Sequence, residues 1–123
     1  MVTLKADRSR NILFAKFEGY IKDGEAEKAA QKLHVELQQL RPGFDIINDL
    51  TGYKFADVAA AQRLIGIMAH LKSRRVGRVV RVVNEDAVGV RQFKIAAERS
   101  NAYKAYYAKT VKDAEIMLGK ADA

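Results

Sequence analysis

The feature that most constrains this chain is a repeated change of hydrophobic period. Short runs rich in aliphatic, aromatic and β-branched residues occupy positions 2–6, 11–20, 44–50, 76–83 and 102–109. Between the later runs, apolar residues recur every three or four positions, the spacing that lines one side of an α-helix. The first two runs are separated only by Asp7-Arg8-Ser9-Arg10, too short for anything but an antiparallel hairpin, and Gly19 closes the second. From Asp23 the residues Ala26, Ala29, Ala30, Leu33, Leu37 and Leu40 trace a helical stripe that ends at Arg41, with Glu25 and Glu27 in its electropositive first turn. The single proline, in Arg41-Pro42-Gly43, marks the stop.

Residues 44–50 are apolar enough for a strand buried on both faces. Val58, Ala61, Leu64, Ile65, Met68 and Leu71 form a second helical stripe, with Asp57 placed to cap its first turn. The valine-rich run 76–83 predicts a strand with Val80 and Val82 on the face opposite Val79 and Val83. A weaker helical pattern, Val90, Phe93, Ala96 and Ala97, spans 86–100, and residues 102–109, with Tyr103, Tyr106 and Tyr107, predict the last strand. Thr110-Val111-Lys112-Asp113 reads as a capping box opening a final helix that buries Ala114, Met117 and Leu118.

The order ββαβαβαβα defines an α/β domain, a mixed but mostly parallel sheet packed with helices and joined through right-handed crossovers. Residues 1–123 form one domain without repeats or linkers, and 49% hydrophobic against 30% charged residues suits a globular core. With no cysteine, thiolate nucleophiles, cysteine zinc sites and iron-sulfur ligation are excluded. No apolar leader or membrane-length run appears, so a cytoplasmic location is expected. In open α/β sheets, exposed chemistry collects beyond the carboxyl ends of the strands, here residues 48–55, 84–86 and 109–110.

Asp49-Leu50-Thr51-Gly52, followed after a few residues by Asp57, resembles the signature loop of the STAS family, the sulphate-transporter and anti-sigma-factor-antagonist domains. That loop reads Asp-Leu-Ser-Gly and then Asp-Ser-Ser-Gly at a helix start. Phe17-Glu18-Gly19-Tyr20-Ile21 resembles the family's second strand, and Thr110-Val111-Lys112-Asp113-Ala114 its final helix start. The nearest branch is the free-standing, bacterial SpoIIAA-like proteins, which also resemble the CRAL-TRIO fold. The resemblance implies a partner-binding loop at Asp49, Thr51, Gly52, Asp57 and Ala59. It also exposes a departure: Val58 and Ala59 stand where the family has Ser-Ser, the second serine being phosphorylated, and Ala60 stands for the glycine. Without a hydroxyl at Ala59 the phosphorylation switch cannot operate there, and Thr51 is expected to serve the turn instead.

The remaining chemistry is sparse. His34 and His70 lie on different helices with no second ligand at metal spacing, so no metal site is expected. The glycines form neither a dinucleotide fingerprint nor a P-loop, and no cofactor is implied. Asp49 and Asp57 are close enough in sequence to meet across a loop as a carboxylate pair, but a turn residue and a cap account for both. Lys72, Arg74, Arg75, Arg78, Arg81, Arg91 and Lys94 carry much of the +7 net charge. They read either as a solvated rim or, at Lys72, Arg74, Arg75 and Arg78, as an anion-binding face for nucleic acid, acidic protein or anionic membrane. No aromatic interleaves with them, which makes nucleic acid the less suitable partner.

Two functions follow. The first is a non-enzymatic, STAS-like regulatory module that binds a protein partner through the region from Thr51 to Ala61. The alternative is a carrier of a small apolar molecule or lipid, suggested by the CRAL-TRIO likeness and by Ala56, Ala59, Ala60 and Ala61 leaving room beside the sheet. Self-association is open in either case.

Overall fold

The computed structural model describes residues 1–84, 91, 95 and 104–120. Through them the chain runs β1 (Val2–Asp7), β2 (Ile12–Ile21), α1 (Asp23–Leu37), β3 (Asp45–Ala56), α2 (Val58–Ser73), β4 (Val79–Val82), β5 (Ala105–Ala108) and α3 (Val111–Met117). The five strands make one sheet in chain order, β1-β2-β3-β4-β5. Only β1–β2, joined by a tight turn, is antiparallel; every later pair is parallel because a helix or long crossover returns the chain. The helix expected over 86–100 falls outside the described residues except for Arg91 and Ile95.

Alternation along β4 sorts the core into two layers. Val80 and Val82 pack with Ile12, Ile47, Ala108, Ala114 and Leu118 beneath α3. Val79 joins Leu13, Leu33, Leu37, Phe44 and Leu71 beneath α1 and α2. The same helices bury Phe17, Tyr53, Leu64 and Met68 in a third cluster toward the carboxyl end of the sheet. Phe17 and Tyr53 meet edge to face at 5.9 Å, and burial pushes the Tyr53 hydroxyl well above its ordinary pKa. An apolar cavity of about 60 Å³ remains between the two helices and the sheet, lined by Leu4, Leu13, Leu33, Leu64, Ile67 and neighbours.

Four expectations need correction. β3 does not stop at Leu50 but continues to Ala56, because β2 accompanies it across two register shifts, with Gly19 supplying a left-handed residue at φ 68°. Val58 is 76% exposed, since the first turn of α2 projects past the sheet; Ala60, Leu64, Met68 and Leu71 are the buried stripe. Met117 is 45% exposed because α3 turns only Ala114 and the following Leu118 inward. Arg81, grouped with the surface cations in the sequence, is 2% exposed in the middle of the sheet, where its Nη1 donates to the Tyr107 hydroxyl at 3.2 Å.

Candidate functional site

The residues singled out at the end of β3 lie along an extended strand. Asp49 Oδ1 accepts from the Thr51 N–H at 3.0 Å and from the Thr51 hydroxyl at 2.7 Å, a local turn made by side chain and backbone together. The Thr51 hydroxyl is thus held locally by Asp49 inside β3, rather than at the chain turn expected after Leu50, and the Thr51 carbonyl accepts from Asn84 Nδ2 at 3.1 Å. Gly52 pairs with Glu18, and a Cβ added there would make only ordinary contact with the Glu18 side chain, at 3.5 Å. Its matching position in the signature loop thus reflects no steric demand here. Eight residues of mostly extended chain hold Asp49 and Asp57 roughly 25 Å apart, so the two carboxylates do not form an acid–base pair.

Asp57 does more than the sequence suggests. Its Oδ1 accepts from the Ala60 N–H at 2.8 Å, the N-cap of α2. Its Oδ2 accepts from the Asp23 N–H at 3.3 Å, the first residue of α1, whose own cap position, Lys22, makes no side-chain cap bond. One carboxylate thus faces the positive ends of two helices. The Arg63 side chain of α2 pairs with Asp23 and lies 3.7 Å from Glu27, tying the same two helix starts together on the outside. The capping of α2 is legible in the local sequence; the second bond depends on β3 delivering Asp57 beside Ile21, which accepts from the Asp57 N–H at 3.1 Å.

Around this anchor exposed apolar side chains stand among charged ones. Tyr20 is 74% exposed and pairs in register with Phe55, itself exposed, and Val58 and Ala59 follow at the start of α2. Sequence reasoning missed Tyr20 and Phe55; the only signal for them is an aromatic beside Gly19 and another three residues after Gly52. Of the alanines expected to leave room beside the sheet, Ala56 and Ala60 are fully buried in the core with Ala26, whereas Ala59 is exposed.

The expected anion-binding residues lie at the other end of the sheet, and they do not act alike. Arg78 is partnered although its side chain is half exposed: its N–H donates to buried Asp45 at 2.7 Å, its Nη2 lies 3.4 Å from the same carboxylate and donates to the Leu118 carbonyl at 2.9 Å. Lys120 adds a second cation to Asp45 at 2.8 Å. Arg74 and Arg75 end α2 in a Schellman turn, in which the Val76 N–H reaches the Leu71 carbonyl and the Arg75 N–H the Lys72 carbonyl. Arg75 occupies the left-handed position, φ 61°, where glycine is the usual residue. Lys72 is exposed in the last turn of α2. Among the described residues no group of three or more acidic or histidine side chains can hold a metal, and no helix is long and apolar enough to cross a membrane.

An α/β domain with a mostly parallel five-stranded sheet, an N-terminal hairpin and a helix capped at the end of the third strand has the SpoIIAA-like fold. Solved structures bear this out. The anti-sigma factor antagonist SpoIIAA in its unphosphorylated form superposes with a TM-score of 0.67 over 99% of this chain and 100% of that one, at 14% identity. An uncharacterized DUF3478-family protein with a SpoIIAA-like fold from Shewanella loihica PV-4 gives 0.72 over 96% and 92%, also at 14% identity. The Bacillus cell fate determinant SpoIIAA in its phosphorylated form gives 0.65 over 96% and 99%, again at 14% identity. No family model matches the chain, and no curated protein matches it in sequence.

Proposed function

We propose that this chain is a constitutive, non-enzymatic protein-interaction module of the cytoplasm, docking a protein partner at the carboxyl end of β3. The observation that carries the reading is the exposed apolar surface of Tyr20, Phe55 and Val58 built on the doubly engaged Asp57. The two Asp57 bonds fix the backbone beneath it, which lowers the ordering cost of docking. Ala59, exposed in the first turn of α2, offers no phosphate acceptor, and the Thr51 hydroxyl is engaged by Asp49. The carrier reading is less well supported, because a cavity of about 60 Å³ is far below the several hundred Å³ that lipid-sized ligands occupy.

Affinity capture from the native host, comparing the unaltered protein with Val58→Asp and Tyr20→Asp, tests the proposal. The expected result is a partner retained by the unaltered chain and lost from both variants while their melting temperatures stay unchanged. Equal retention by all three, a co-purifying hydrophobic ligand in native mass spectra, or stoichiometric phosphate on Thr51 overturns it.

A further inference from the structure

The amino end of the sheet gathers arginines from three separate loops. Arg8 sits in the β1–β2 turn, Arg41 between α1 and β3, and Arg74 and Arg75 between α2 and β4. Backbone and side-chain bonds hold these loops against one another: the Gly43 N–H donates to the Arg75 carbonyl at 2.8 Å, and Arg41 Nη1 to the Arg8 carbonyl at 3.3 Å. With neighbouring strands about 4.8 Å apart, the row spans roughly 15 Å along the sheet end. Among the described residues none of these four arginines forms an ion pair, whereas Arg10 and Arg78 at the same end are paired with Asp7, Glu115 and Asp45. Arg8, Arg41 and Arg75 are exposed.

A further observation narrows the partner. The last turn of α3 is pinned to this same end through the Leu118 and Lys120 carbonyls, which accept from Arg78 and Arg10, and it leaves Ile116 57% and Met117 45% exposed. A nucleic-acid backbone gives aliphatic side chains little to bury against. An anionic lipid surface accepts both halves, arginines at the headgroups and aliphatics at the acyl boundary.

We infer that the amino end of the sheet is a peripheral docking surface for an anionic membrane, held by Arg8, Arg41, Arg74 and Arg75 with Ile116 and Met117 beside them. It is distinct from the Tyr20–Val58 surface and faces away from it along the strands. Association is electrostatic first, and so weakens as salt screens the headgroups.

Sedimentation with vesicles of phosphatidylcholine plus phosphatidylglycerol, against phosphatidylcholine alone, tests this. The full chain sediments only with the anionic vesicles, and less as salt rises. Arg75→Gly lowers the association about fivefold and, combined with Arg41→Gln, roughly 25-fold, while Arg75→Gly melts no lower than the unaltered protein. Ile116→Ser lowers the residual association at high salt, and Val58→Asp leaves association unchanged. Absence of sedimentation with anionic vesicles at low salt, indifference to the two arginine substitutions, or preferential binding to duplex DNA or polyglutamate over the vesicles overturns the inference.

Discussion

The two ends of the sheet are built on opposite plans. At the carboxyl end a single acidic side chain, Asp57, engages the starts of α1 and α2, and Tyr20, Phe55 and Val58 are exposed around it. At the amino end the acidic group, Asp45, is buried beneath Arg78 and Lys120, and the surface carries arginines on tight loops. The helices explain part of this difference, since α1 and α2 both present positive ends to the carboxyl side, where an anion is favourable, and negative ends to the amino side, where cations are. The helix dipoles thus favour an anion at Asp57 and cations at the amino end, and the large exposed apolar side chains Tyr20 and Val58 stand beside the first.

The same substitution made at both ends gives the largest contrast. A Cβ at Gly77 would stand 2.5 Å from the Gly43 carbonyl oxygen and 2.8 Å from Asp45 Oδ1, so Gly77→Ala forces the amino-end loops apart and is expected to cost about 1 to 3 kcal/mol. Gly52→Ala meets only ordinary contacts and should change stability by less than about 0.5 kcal/mol. Urea melts of the two variants read the difference, and equal effects would show that the two ends are packed alike.

Next in size is Asp57→Ala, expected to cost about 1 to 2 kcal/mol, toward the upper part of the range for a lost cap because two helix starts lose an acceptor. Amide hydrogen exchange separates the two bonds. Protection should fall at Asp23 as well as at Ala60, and a loss confined to Ala60 would reduce Asp57 to an ordinary cap.

The smallest effect concerns acid. The side chain of Arg10, then its N–H and the Ser9 hydroxyl, lower the Asp7 pKa from 3.8 to about 2. A carboxylate with a depressed folded-state pKa stabilises the fold above its unfolded value and loses that contribution as pH falls through about 2. The loss between about pH 4 and pH 2 should stay below roughly 1 kcal/mol, since the pair is partly open to solvent. It should vanish in Asp7→Asn, and an unchanged acid limb in that variant would assign the loss to another carboxylate.

Most of the architecture is legible from period alone, because strands buried on two faces and helices buried on one leave different repeats in the sequence. Local chemistry is equally legible: Asp57 and Thr110 both cap the helices that follow them, Thr110 Oγ1 accepting from the Asp113 N–H at 3.0 Å. What is hidden depends on distant partners. Thr51-Gly52-Tyr53-Lys54 has the composition of a loop, and becomes strand only because β2, with its bulges and left-handed Gly19, runs alongside. Arg81 has the composition of a surface cation, yet its strand is central, with β3 on one side and β5 on the other. Val58 and Met117 fit their helical stripes but sit at helix ends that overhang the sheet. Half of the candidate site, Asp57 and Thr51, follows from local pattern; the exposed Tyr20 and Phe55 follow from the pairing of β2 with β3.

The void beneath α1 and α2 makes this protein a responsive object under hydrostatic pressure. Water fills the space of an apolar cavity once the helices come away from the sheet, so unfolding shrinks the system, and about 60 Å³ of empty volume contributes a decrease on the order of tens of mL/mol. Compression therefore favours the opened state, and the residues that lose their native signals first should be those that roof the cavity, Leu33, Leu64 and Met68.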